Sequence, residues 1–228
     1  MCWRAADWRG LRGGLRGGAA LLVIAGVVAA LSAQERPRHG RLFPPQDLGV
    51  LEGPDRDAWQ MPGEIMDALG IGDGSVVADL GAGGGWFTVR LARRVGPNGL
   101  VYAEDVQRQM VDAIDRRVAR EGLRNVVTVL GEDDDPRLPP EALDAVLMVD
   151  AYHEVQNRVQ LLANVRASLK PNGRLGIVDF RREGGGPGPA MEERVDPATV
   201  VADAEVAGLR LLAHERFLPY QYLLVFVR

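Results

Sequence analysis

The segment VVADLGAGGGWF, residues 76–87, constrains the chain more than any other stretch. An apolar run turns acidic, Gly81, Gly83 and Gly85 follow at alternate positions, and an apolar-patterned stretch begins at once. Continuous apolarity over so few residues predicts a strand buried on both faces, as in a parallel sheet. Glycine just beyond it lets the backbone turn tightly and lets a ligand approach without Cβ interference. A nucleotide-type ligand would then lie at the N-terminus of the following helix, across the carboxyl ends of the strands. The dinucleotide fingerprint GxGxxG fails from either start, because Trp86 or Thr88 stands where its last glycine belongs. The pattern present is acid-x-G-x-G-x-G from Asp79. An acid there would repel a pyrophosphate and suit a ligand with a cationic amino-acid end.

The rest of the chain is organised around that loop. Residues 61–69 predict a short helix with Pro62 in its first turn. Trp86–Val95 predicts a helix, Leu100–Asp105 a second strand, 107–121 an amphipathic helix and Asn125–Leu130 a third strand. Leu143–Val149 reads as strand four and 156–169 as a helix, closed by a turn at KPNG. Arg174–Phe180 is strand five, 182–190 a glycine-rich flexible loop, and Pro197 opens another helix. Two strands end the chain, Leu209–Phe217 and Tyr222–Val227. The expected fold is α/β: a doubly wound, mostly parallel seven-stranded sheet with helices on both faces and an antiparallel terminal strand at one edge.

Residues 1–33 read differently. Four arginines precede the uncharged run AALLVIAGVVAALSA, residues 19–33, and small residues surround Ser32 and Ala33. A basic leader, an apolar stretch and a small-residue end match a secretory signal peptide. The run is shorter than the roughly 20 residues a spanning helix needs, although Gly17 and Gly18 lengthen it towards a retained anchor. The expectation is therefore a signal peptide or membrane anchor over 1–33, an extended arm over 34–58, and one domain from 59 to 228. The leader predicts an exported, periplasmic or membrane-anchored protein, with a cytoplasm-facing anchored domain as the alternative.

From Trp59 to its C-terminus the chain resembles the class I S-adenosylmethionine-dependent methyltransferases. DLGAGGG looks like that family's first motif, which implies that Asp79, Gly81, Gly83 and Gly85 border the methionyl end of S-adenosyl-L-methionine. GLVYAEDVQRQMV (99–111) looks like the second, where an acid accepts both ribose hydroxyls; Asp105 is the best match and Glu104 its neighbour. VLGEDDDPRLP (129–139) resembles the third, with Glu132 and Asp133 both candidates for the adenine amino group. SLKPNGRLGIVDF (168–180) looks like the turn and strand that follow the fourth motif. MVDAYHEV (148–155) resembles the fourth motif itself and implies acceptor-side roles for Asp150, Tyr152 and His153. Of these, His153 most readily takes a proton near neutral pH.

Composition narrows the acceptor. A net charge of −4 opposes a general nucleic-acid binder, and no NPPY-like segment, which would stack a flipped base, follows strand four. One cysteine and three histidines without HExxH spacing predict no metal site. The expected acceptor is a small or lipid-like molecule. The competing expectation is a non-catalytic nucleotide-binding or S-adenosylmethionine-binding module of the cell envelope. Weaker candidates are Trp59 and Gln60 folding over the cofactor, the 182–190 loop acting as a lid hinged at Gly184 to Gly186, and Tyr220 and Tyr222 lining an acceptor pocket.

Overall fold

The apolar run ending at the glycine loop forms an interior strand, β1 (Val76–Leu80), of a seven-stranded sheet. A computed structural model describes residues 42–183 and 185–228. Beside β1 lie β2 (Leu100–Asp105) and β3 (Val126–Leu130) on one side. On the other side follow β4 (Leu143–Val149), β5 (Leu169–Phe180), β7 (Gln221–Val227) and β6 (Arg210–Glu215), giving the order β3-β2-β1-β4-β5-β7-β6. The first five strands are mutually parallel. The antiparallel terminal strand is present, but it is not the edge: β7 runs antiparallel between β5 and β6. Burial explains the placement. Gln221–Phe226 are buried without interruption, as an interior strand demands, whereas β6 alternates exposed and half-buried residues, as an edge strand tolerates.

Among the described residues six α-helices accompany the sheet: α1 (Arg56–Gln60), α2 (Pro62–Ala68), α3 (Trp86–Val95), α4 (Arg108–Arg120), α5 (Arg158–Ser168) and α6 (Pro197–Val206). Successive strand residues face opposite layers. Tyr222, Leu224 and Phe226 enter one core with Leu162 and Val165 of α5 and Val200 and Ala204 of α6. Leu223 and Val225 enter the other, with Ile65 of α2 and Leu91 and Val95 of α3. Each fully buried side chain of this kind contributes about 1.5–3 kcal/mol.

Two expectations change. The KPNG turn does not precede strand five; it lies within it. Leu143 pairs with Leu169 and Ala145 with Arg174, so residues 170–173 bulge out of the ladder. Lys170 Nζ, 2.7 Å from Asp144 Oδ1, pins the bulge. Nor is the segment before Trp59 an extended arm. Pro45–Glu52 is a 3-10 helix and Arg56–Gln60 already α-helical. Pro44 and Pro45 set φ for such a turn, and the segment packs back across the strand ends. Among the described residues no helix is long and apolar enough to cross a membrane. The basic leader and the apolar run at 19–33 lie outside the described residues.

Candidate active site

A cavity of about 1300 Å³ opens along the carboxyl ends of β1, β2, β4 and β5. Each of these apolar strands ends in an acid (Asp79, Asp105, Asp150, Asp179), because the strand core needs apolar residues and its mouth does not.

On the β1 side, Gly81, Gly83 and Gly85 all have positive φ (69°, 54° and 78°). A Cβ on Gly81 would lie 2.8 Å from that of Ala151, so the loop requires glycine for room as well as for conformation. A Cβ on Gly83 would meet nothing within 4 Å, since that position faces open space. Asp79 is buried, and its Oδ2 accepts from Thr88 Oγ1 at 2.6 Å. Burial pushes its pKa up to about 6 against that hydrogen bond and the nearby Arg56.

The adjacent acids Glu104 and Asp105 separate here. Glu104 Oε2 accepts from the Gly81 amide at 3.3 Å, and burial, reinforced by Asp105 and Asp79, raises its pKa to about 8. Gly131 leaves the space that this carboxyl fills. Asp105 instead braces the loop mouth: Oδ2 accepts from the Gly83 amide and Oδ1 from that of Gln107, both at 2.9 Å. Glu132 and Asp133 are exposed at the cavity rim, with Glu132 ion-paired to Arg137. Both reach the site, and neither is favoured over the other.

On the acceptor side, His153 sits in a 3-10 turn after β4, with a side chain 10% exposed. Its Nδ1 is 3.1 Å from each carboxylate oxygen of Asp179, and its backbone N–H donates to Asp179 Oδ2 at 3.0 Å. Nε2 lies 3.8 Å from Glu154 Oε1. A carboxylate only accepts, so Nδ1 carries the proton and Nε2 is left as the acceptor nitrogen. Burial lowers the imidazole pKa, but the hydrogen bond and charge of Asp179, together with the charges of Glu154 and Asp150, outweigh it and leave the pKa raised. Asp150 has φ +58° and is held by Gln221 Nε2 and by Arg56, whose Nη2 is 3.5 Å from Oδ2. Burial pushes its pKa up to about 7.

Tyr152 does not join this group. It is fully buried in the β4–α5–α6 core, does not line the cavity, and donates to Asp203 Oδ2 at 2.8 Å. The 3-10 turn points consecutive side chains in different directions, so Tyr152 turns inward while His153 turns out. Burial raises its pKa further from neutrality, which disqualifies it as an acid or base. Tyr152→Phe should cost about 1 kcal/mol of stability, measured by urea denaturation, and leave ligand affinity at the cavity unchanged.

The remaining walls come from distant elements. The 42–52 segment straps over the glycine loop. Phe43 N–H donates to Glu154 Oε2 and its carbonyl accepts from Gln107 Nε2, both at 3.0 Å. Glu52 pairs with Arg117, 2.5 Å away. Trp59 lines the cavity with Phe180 and Tyr220, its ring 6.2 and 6.1 Å from theirs. Tyr222, by contrast, is core. Gln60 is buried, bonded to Gln221 rather than facing the cavity. In the 182–190 loop, Gly186 and Gly188 have positive φ and lie against the Tyr220 and Phe180 rings, so these glycines serve close packing. Arg194 ties the loop down through the carbonyls of Arg181, Pro187 and Pro189.

Sequence reasoning missed Asp179, Arg56 and Gln221. Asp179 carried a signal, since it ends an apolar strand as Asp79 and Asp150 do. Gln221 carried none; Gln60, its partner, is 161 residues away.

A family model described as a methyltransferase domain matches residues 77–173. A ubiquinone/menaquinone biosynthesis C-methyltransferase from Pasteurella multocida is 33% identical over 124 residues, 51% of this chain and 44% of that protein. A nocamycin O-methyltransferase from Saccharothrix syringae is 30% identical over 129 residues, 57% of this chain and 44% of that one. The chain thus spans about half the length of the curated relatives it matches. A crystal structure of an S-adenosylmethionine-dependent methyltransferase from Aquifex aeolicus superposes with a TM-score of 0.78 at 29% identity, over 82% of this chain and 100% of that one.

Proposed function

The chain belongs to the class I S-adenosylmethionine-dependent methyltransferase family, and on that premise we propose that it transfers a methyl group from S-adenosyl-L-methionine to a small-molecule or lipid-like acceptor. The observation that carries this reading is that the glycine loop and His153, braced from behind by the buried Asp179, line one cavity. The residues fit the cofactor: Gly83 faces open space where a Cβ would intrude, and a carboxylate stands at the end of β2. Asp105 is the acceptor for the ribose diol, because one carboxylate accepts two hydrogen bonds at once. Glu132 or Asp133 meets the adenine edge, and Asp79 stands at the methionyl end.

When bound, the cofactor supplies an activated sulfonium methyl group. The protein's task is then to align the acceptor, exclude water and take a proton where the acceptor carries one. His153 Nε2 is the group placed to take it, with Asp179 fixing the tautomer and stabilising the imidazolium that forms. The 42–52 strap, bonded to both sides of the cleft through Phe43, shields the site. Trp59, Phe180 and Tyr220 give the acceptor side an aromatic wall, which supports an apolar acceptor.

The basic leader and apolar run support a membrane-held address, so cell-envelope extract is the acceptor source to test. Incubation of the purified chain with methyl-labelled cofactor and this extract should label a small, solvent-extractable product. Cofactor binding with no labelled product in envelope or whole-cell extract would favour the non-catalytic module.

A further inference from the structure

Glu154 is a carboxyl group of the cavity that the mechanism above does not use. Its side chain is 16% exposed and lines the cavity next to His153. Its two oxygens have different neighbours. Oε2 accepts the Phe43 N–H at 3.0 Å, which fastens the 42–52 strap, and Oε1 stands 3.8 Å from His153 Nε2. The second distance exceeds the roughly 2.7–3.2 Å of a hydrogen bond. The seated strap therefore holds the carboxylate close to the proton-accepting nitrogen without occupying it. The strap itself is held mainly by polar ties. Gln107 bonds the Phe43 carbonyl, Glu52 pairs with Arg117 of α4, and Leu48 lies over Gly84. No described residue of the strap joins either apolar core. A segment tied this way opens at a lower free energy than the core does.

Lifting the strap changes what Glu154 can bond. Burial pushes its pKa up, and Asp105 and Asp179 add to that push, while the Phe43 N–H and His153 oppose it. Of the two groups that favour the charged carboxylate, only the imidazole is left once Phe43 departs. His153 faces Asp179 on β5 and Asp150 at the end of β4 as well as Glu154, and all three charges favour the imidazolium against burial. Asp179 already takes Nδ1, so Glu154 can act on Nε2. A carboxylate and an imidazolium at hydrogen-bond distance also attract as opposite charges. We infer that Glu154 is a positioning residue that couples the strap to the base. With the strap seated it is held off Nε2; with the strap lifted it closes onto Nε2 and keeps the imidazole protonated, with a proton drawn from solvent. Proton acceptance is thereby confined to the closed cleft. This rests on the reading of His153 as the base.

Titration of the histidine ring resonances by NMR on the full chain tests the coupling without an acceptor, His153 being assigned by its loss in His153→Ala. Phe43→Pro removes the N–H and keeps Glu154, whereas Phe43→Ala removes the ring and keeps the N–H. The His153 pKa should rise in Phe43→Pro and stay near wild type in Phe43→Ala. It should fall in Glu154→Gln, which takes away the carboxylate charge, and stay at that lower value when Phe43→Pro is added. Solvent entering a loosened site would raise the pKa with or without the carboxylate, so the combined variant separates the two causes. Gln107→Ala, which releases the Phe43 carbonyl, carries the same comparison if Phe43→Pro does not fold. No rise in Phe43→Pro, an equal rise in Phe43→Ala, or an equal rise on the Glu154→Gln background would overturn the coupling. If the coupling is found and His153→Ala keeps full turnover, the base reading alone fails. If His153→Ala is inactive and the coupling is missing, the inference about Glu154 alone fails.

Discussion

Replacing His153 with alanine should lower methyl transfer to the acceptor identified by labelling about 100-fold or more at neutral pH, with S-adenosylhomocysteine affinity little changed. The expectation follows from the two nitrogens having different partners. Asp179 binds Nδ1 at 3.1 Å and takes the backbone amide of the same residue, so the ring has one orientation. Nε2 is then the nitrogen available to a substrate proton. The pH profile gives a second readout. The base must be neutral, and its pKa is raised above the ordinary imidazole value of about 6.5, since Asp179, with the charges of Glu154 and Asp150, stabilises the imidazolium more than burial opposes it. Activity should therefore fall as pH drops, with the acid limb of kcat/KM above that value. Asp179→Asn removes the charge that raises the pKa, so the limb should move to lower pH while kcat falls. Full turnover in His153→Ala, or an acid limb indifferent to Asp179→Asn, would show that the pair only packs the turn.

The largest effect on stability and cofactor binding together is expected at Gly81. An alanine there must hold φ near 69° and place its Cβ 2.8 Å from that of Ala151. The left-handed conformation costs about 1 kcal/mol, and a contact between two short side chains close to the backbone can be relieved only by moving the loop, about 1–3 kcal/mol more. Gly81→Ala should therefore lose about 2–4 kcal/mol by denaturation and bind S-adenosylhomocysteine at least tenfold more weakly, because the moved loop carries the amide bonded to Glu104. Gly83→Ala separates the two causes. It carries the same conformational cost and no clash within the protein, so its stability loss should stay near 1 kcal/mol while its methyl group enters the ligand's space. Equal stability losses in the two variants would show that the Ala151 contact does not restrict the loop.

The strands and helices around this site were legible because their signals are local. Val76–Leu80 had to be a buried strand and Trp86–Val95 an amphipathic helix whatever the rest of the chain did. β1, α3, β2 and β4 formed where periodicity and glycine placed them. The position of β7 was also encoded, since QYLLVFV is apolar on both faces and an edge strand need not be. The acids at the strand mouths were visible for the same reason, although Asp179 was passed over at the end of LGIVDF. The arm ahead of Trp59 offered prolines, charges and no sustained period, and so concealed two short helical segments.

The sequence alone determined the doubly wound sheet, the ligand loop and its preference for a cationic amino-acid end over a pyrophosphate, because these follow from neighbours within a dozen residues. Tertiary structure decided which residues act together. It turned Tyr152 into the core and His153 to the cavity, set Asp179 against the imidazole across 26 residues of sequence, and joined Arg56 to Gln221 through Gln60. Such pairings depend on which strands become neighbours and on how a turn points its side chains. Only the packed sheet specifies both.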